Sequence, residues 1–397
     1  MSLDSSDPRQ VRTRHGSRSK VPLREFLLYF LRLGTVGFGG PIALAGAMRR
    51  DLVEKRKWIS AQEYSEGLAF SQLSPGPLAA QLAMYLGWIR AGTLGATMAG
   101  AAFVLPSFAM VVVLAALYLH YGTLAWIRGS FYGIGAAVIA IIARSAYKLV
   151  RATVQGDLLL WALFGVVAVT TAWTASEIVW LFLLSGVIAL VVKAPPRWSM
   201  SSAGSVFALQ FSWLVTGERG AASSGVVGAL FAFFLKAGAF VFGSGLAIVP
   251  FLYGGAVQQY HWLTDRQFVD AVAVAMITPG PVVITAGFIG YLVAGTVGAF
   301  LAALAVFAPP YVIVVIGAPH YHRFAQNRQV KAFVQGVTAA AVGAIAGAAF
   351  ILARRSIVDW PTAGIAVATF GLLGARKVPE PLVILAAGAI GMALFKG

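Results

Sequence analysis

One stretch occurs twice in this chain, and that duplication limits the fold more than any other feature. Residues 30–77 and 234–281 align without a gap at a constant offset of 204. Phe30, Gly34, Phe38, Gly39, Trp58, Pro75, Gly76 and Pro77 meet identical residues. Arg32/Lys236, Ser60/Thr264, Tyr64/Phe268, Glu66/Asp270 and Ser74/Thr278 are conservative pairs. One residue then drops out, and the register continues at 203 through Gly92/Gly295, Gly95/Gly298, Pro106/Pro309, Gly133/Gly336 and Arg151/Arg354. Apolar segments alone do not hold a register through glycines, prolines and a charged loop. The chain is two copies of one unit, each with two apolar segments broken by Gly and Pro.

Composition places both copies in a bilayer. The chain is 59% hydrophobic and only 11% charged, against about 25% charged in soluble domains. Long apolar runs recur throughout, so the fold class is an all-α polytopic membrane protein. A basic tail, 1–24, carries Arg9, Arg12, Arg14, Arg18, Lys20 and Arg24, and reads as disordered and cytoplasmic. The first repeat then covers 25–193 and the second 226–397. Between them, 194–225 is a linker that includes an apolar stretch at 198–216.

Several function classes fall away. The net charge of +16 comes from lysines and arginines clustered in short loops, where they set topology, so nucleic acid is not a partner. With no cysteine, thiolate metal sites and cysteine catalysis are excluded. His15, His120, His261, His320 and His322 all fall in the tail or in loops, and no HExxH motif is present. No P-loop, GxSxG or dinucleotide motif occurs, so no metal, cofactor or ATP-driven step is expected. The lipid bilayer is the expected partner; monomer and homodimer fit the sequence equally well.

Loop charge orients the copies. The 49–57 loop has five Lys/Arg and the matching 253–261 loop none. The 120–128 loop has one, whereas its counterpart contains Arg323, Arg328 and Lys331. Basic residues thus alternate, as expected for inverted-topology repeats. Each repeat has about six segments, an even number, so inversion requires a connecting helix at 198–216. The 26–48 segment has basic residues at both ends, which predicts that it enters and returns, breaking at Gly37-Phe38-Gly39-Gly40-Pro41. The other breaks are Ser74-Pro75-Gly76-Pro77, Gly243-Ser244-Gly245 and Thr278-Pro279-Gly280-Pro281.

Irregular backbone at membrane depth is tolerated where it is buried in protein or lines a wet cavity. A half-helix starting there points unpaired N–H groups and a positive dipole end inward, which suits an anion. The plainer reading is that the glycines serve packing and the prolines only kink. Four breaks at repeat-matched positions favour a site. Arg32 and Lys236 precede the first break of each copy, where a charge is costly and usually functional, although either can snorkel. Gln72, Gln81, Ser74 and Thr278 are potential donors beside the Pro-Gly-Pro turns, or else bond neighbouring backbone carbonyls. Glu66 and Asp270 are the candidates for proton coupling, or else acids favoured near helix starts.

On these residues the sequence resembles the chromate ion transporter family in its long, two-domain form. The resemblance rests on Gly37-Phe38-Gly39-Gly40-Pro41, the basic loop ending in Trp58, Gln72 to Pro77, Gly92 to Pro106, Phe242-Gly243-Ser244-Gly245 and Thr278-Pro279-Gly280-Pro281. It implies chromate efflux across the inner membrane of a bacterium or archaeon, with the N-terminus cytoplasmic. It further implies sulfate as the chemical mimic and the membrane potential or a proton gradient as the driving force. An anion channel, a sulfate uptake carrier and an intramembrane enzyme are the rival readings, the last lacking an acid/base cluster beyond Glu66/Asp270.

Overall fold

The computed structural model describes residues 21–122, 124–174, 179–195, 225–241, 245, 248–321, 327–375 and 378–395. Among the described residues every regular element is a helix. Four are long and apolar enough to cross a membrane: Leu78–Tyr121, Ala125–Val154, Val282–His320 and Arg328–Ser356. The chain is an all-α polytopic membrane protein. Residues 1–20 of the basic tail and the connecting helix expected at 198–216 lie outside the described residues.

Helices α1 (Leu23–Val36) and α2 (Gly40–Met48) form a re-entrant hairpin. Its tip is set by Gly39 at φ 110° and Gly40 at φ 72°, the left-handed region that costs glycine least. Pro41 follows in the first turn of α2, where a missing N–H breaks no helical bond. α2 runs on as a π-helical segment, Arg49–Lys55. Both ends reach one surface, the first face: the Trp58 ring lies 6.3 Å from Phe26 and the Arg56 guanidinium 5.6 Å from the Tyr29 ring centroid. The 26–48 segment therefore enters and returns, as its flanking charges required.

A second re-entrant hairpin follows from the same face. α3 (Ala61–Leu73) starts with a capping box between Ser60 and Glu63, satisfying N–H groups that would otherwise lack partners. It runs inward to the Pro75-Gly76-Pro77 break. α4 (Leu78–Tyr121) begins there and returns along α3, with Phe70 and Tyr85 stacked at 5.3 Å. Arg90 at its end donates to the carbonyl of Val21, back at the first face. α4 then doubles back at Ala91-Gly92, where Gly92 has φ 60°. Its second limb, 93–121, is about 43 Å long at 1.5 Å per residue and crosses to the second face. α5 (Ala125–Val154) crosses back, and α6 (Leu158–Thr174) and α7 (Val179–Lys193) go out and return. Lys193 pairs with Asp157 at 2.5 Å, tying the end of α7 to the α5–α6 turn and holding that carboxylate below its usual range.

The second copy repeats each element: α8 (Val226–Phe240), α9 (Ile248–Tyr253) with its π segment Gly254–Gln259, and α10 (Asp265–Ile277). A 3-10 turn, Val282–Ile284, leads into α11 (Thr285–Gly317), then α12 (Arg328–Ser356), α13 (Trp360–Ala375) and α14 (Glu380–Leu394). Thr264 and Gln267 rebuild the capping box, and Gly295 repeats the φ of 60° at the α11 kink.

The copies are inverted. At the far end of α4, Tyr118 donates to Asp270 of α10 at 2.8 Å and Arg266 donates to the Arg128 carbonyl at 3.0 Å. The second copy therefore begins at the face where the first copy's crossing ends. The mirror contact is present too: at the far end of α11, Tyr321 lies 6.1 Å from Phe70 and near Glu66. Two bundles result. α1–α4 pack with α8–α11, while α5 packs on α13 and α14 and α12 on α6 and α7. Each copy contributes to both.

Candidate functional site

Three of the breaks, and Gly245 of the fourth, converge where the re-entrant hairpins meet. The Gly76 N–H donates to the Val241 carbonyl at 2.5 Å, and the Gly280 N–H donates to the Gly37 carbonyl at 2.9 Å. The two bonds are the same contact made twice, because Gly37/Val241 and Gly76/Gly280 are repeat mates. Each Pro-Gly-Pro turn is thus closed by the other copy. In low-dielectric surroundings these bonds relieve backbone groups that would cost several kcal/mol each if left unpaired.

Around them lies a cavity of about 10 Å³ lined by Gly40, Pro41, Leu44, Pro77, Leu78, Ala79, Gly245, Gly280, Pro281 and Val282. That is room for about one water, so the breaks are closed upon each other in this conformation. Three chain segments begin a helix at its wall: α2 at Gly40, α4 at Leu78 and the turn before α11 at Val282. The N–H groups of their first turns have no partner within the helix, and the helix dipoles point there too. The arrangement offers fixed donors to a negative charge without a buried metal or cation.

The polar candidates take separate places. Ser74 Oγ donates to the Phe70 carbonyl at 2.7 Å and Thr278 Oγ1 to the Val274 carbonyl at 2.6 Å. Both hydroxyl protons are therefore spent on the preceding helical turn. Gln72 is exposed, on the side of α3 away from α4. Phe38 and Gly39 are exposed at the hairpin tip, whereas Gly37, Gly76, Pro77, Pro279 and Pro281 are buried and Pro75 half-buried. Arg32 does not line the cavity; it stands on the exposed side of α1 with Leu28, Thr35 and Val36, and Lys236 is half-buried in α8. Gly243 and Ser244 lie outside the described residues.

The acidic pair differs between copies. Asp270 is 3% exposed and bonded to Tyr118. Glu66 is half-buried and accepts from Gln62 Nε2 at 2.9 Å. Sequence reasoning missed Tyr118 and Tyr321 as their neighbours, although the 203 register sets the two tyrosines opposite each other. It also missed one residue that shapes the turns, Ser107, while Gln81 is among the expected donors. Ser107 donates to the Gly34 carbonyl at 3.3 Å beside Gly280. Gln81, fully buried, spans the first turn by donating to the Pro75 carbonyl at 2.7 Å.

Comparison with known proteins bears on this geometry. The model of the chromate transporter family matches residues 24–190 and again 228–392. A "Chromate transport protein" of Cupriavidus metallidurans is 54% identical over 94% of this chain and 93% of its own. A "Probable chromate transport protein" of Synechococcus elongatus is 53% identical over 93% of this chain and 95% of its own. A "Chromate transport protein" of Pseudomonas aeruginosa is 33% identical over 92% and 91%. No solved structure matches. With both copies matched by the same family model and near-full-length relatives at more than half identity, this chain belongs to the chromate transporter family.

Proposed function

We propose that the protein is a secondary transporter that exports chromate from the cytoplasm, with sulfate as a structural analogue, across the inner membrane. The observation that carries this reading is the meeting of repeat-matched half-helix N-termini from inverted copies, the arrangement that inverted-repeat transporters use to hold anionic groups. The relatives' names supply the anion. Arg32, Lys236 and the four breaks are proposed to contact it as it passes.

Orientation is part of the proposal. The five Lys/Arg of the 49–57 loop favour a cytoplasmic first face. Single cysteines at Lys55 and Gln258 in this cysteine-free chain should react with an impermeant thiol reagent from opposite sides. Reaction of both from one side would remove the basis for export.

The energetics favour export driven by the membrane potential. A dianion leaving a negative interior gains roughly 4.6 kcal/mol per 100 mV, at about 2.3 kcal/mol per charge. That sustains roughly a 2000-fold gradient, since about 1.4 kcal/mol is a factor of ten. In proteoliposomes, an inside-negative potential at zero ΔpH should drive efflux of labelled sulfate and of chromate. Glu66→Gln combined with Asp270→Asn should retain much of that flux. Flux that requires ΔpH and vanishes in the double variant would assign the two carboxylates to proton antiport instead.

A further inference from the structure

The two copies are alike in sequence and unlike in burial. α10 packs on α5, α12 and α14, and α9 packs on α12. The repeat-related contacts would set α3 on α12, α5 and α7, and α2 on α5, and no contact of comparable extent is present there. The difference is visible residue by residue. Val269, Val272, Ala273 and Met276 of α10 are buried. Their mates on α3 are not: Ser65 and Gln72 are exposed, and Leu68 and Ala69 are half-buried. These four positions make one stripe at helical spacing. Pro250 and Tyr253 are buried as well, whereas their mates Gly46 and Arg49 are exposed.

α2 and α3 therefore stand apart from the α5–α7 and α12–α14 bundle on the first face, whereas on the second face α9 and α10 rest on it beside a cavity of about 440 Å³ lined in part by Gly135, Arg266, Val269 and Asp270. The chemistry of the open side is that of a wet cleft. Ser65 and Gln72 stand where the second copy has valine and methionine.

Building on the transport reading, we infer that this structure is one end of a rocking cycle. The body formed by α1–α4 and α8–α11 turns against the body formed by α5–α7 and α12–α14. In the other end state the exposed stripe of α3 docks on α12, as α10 now docks on α5. The occupant of that stripe is fixed by the duplication. A Cβ at Gly135 of α5 would lie 3.4 Å from Val269 Cγ1 of α10, and the mates of this pair are Thr338 and Ser65. When Ser65 meets Thr338, Glu66 becomes buried beside Tyr321 and Asp270 opens toward the second face. The half-helix ends are thereby offered to one face at a time.

Cysteine pairs test this in the full chain. Gly135→Cys with Val269→Cys should bridge under mild oxidation in the state of this structure, with α10 docked on α5. Ser65→Cys with Thr338→Cys, both near-isosteric changes, should bridge in the other state. Each bridge should abolish sulfate efflux from proteoliposomes, and dithiothreitol should restore it. A chain with all four cysteines should form one bridge or the other in each molecule. The inference is overturned if Ser65→Cys/Thr338→Cys stays open under conditions that close the first pair. It is equally overturned if flux continues with either bridge complete. Two mutually exclusive bridges in a protein that moves neither sulfate nor chromate would support the rocking motion and defeat the transport reading instead.

Discussion

Gly280→Ala and Gly76→Ala are each expected to abolish oxyanion flux while the protein still inserts. Gly280 has φ 103° and Gly76 φ 139°, and a non-glycine residue held in such sparsely populated regions costs about 1–3 kcal/mol. Space adds to this. A methyl at Gly280 would sit 1.9 Å from Ser107 Oγ, and one at Gly76 would sit 2.6 Å from Pro310 Cβ. Overpacking of this kind costs about 1–3 kcal/mol. The turn must shift, and the bond from the Gly280 N–H to the Gly37 carbonyl, or from the Gly76 N–H to the Val241 carbonyl, shifts with it. The measurement is sulfate flux per inserted molecule in proteoliposomes. Wild-type flux in either variant would mean that the closure of the breaks is incidental to transport.

Arg32→Gln should reduce flux nearly as far. If the passing anion pairs with Arg32 away from water, removing one partner of such a buried, hydrogen-bonded charge pair costs about 2–5 kcal/mol, or roughly 30-fold to several-thousand-fold at about 1.4 kcal/mol per decade. The exposed position of Arg32 predicts that the variant accumulates and keeps its thermal midpoint. Lys236→Gln, from the half-buried position in α8, should lower flux as well and should also lower the midpoint. Normal flux in both would leave the two cations as interfacial anchors.

Much of the architecture was legible because the physics that fixes it is written locally. Basic residues on both sides of 26–48 required a segment that returns to its starting face, and Gly39, Gly40 and Pro41 supply the turn. The exchange of basic loops between copies gave the inversion. The Ser60/Thr264 pair marks the start of α3 and α10. Other features depend on tertiary partners that no spacing announces. That Gly76 pairs with Val241 rather than with its own helix follows from the crossing of the two copies. Ser74 and Thr278 look like ligand donors in sequence, yet a hydroxyl at a helix end can bond the carbonyl four residues back, and both do. The unequal burial of Glu66 and Asp270 does not follow from that conservative pair itself; its trace lies in the neighbouring Ser65 and Gln72, whose mates are Val269 and Met276.

The paired bonds between breaks have a consequence for how such a chain arose. Each copy holds the hydrogen-bond partner that the other lacks: Gly37 serves Gly280, and Val241 serves Gly76. The α5/α13/α14 and α12/α6/α7 groupings are exchanged in the same way. A lone half would carry open backbone valences into lipid and lack half of each bundle. A half-length ancestor could become whole only by meeting its own twin, inserted upside down in the same bilayer. Gene fusion would then have locked in a one-to-one stoichiometry of opposite orientations that separate chains could reach only by chance encounter.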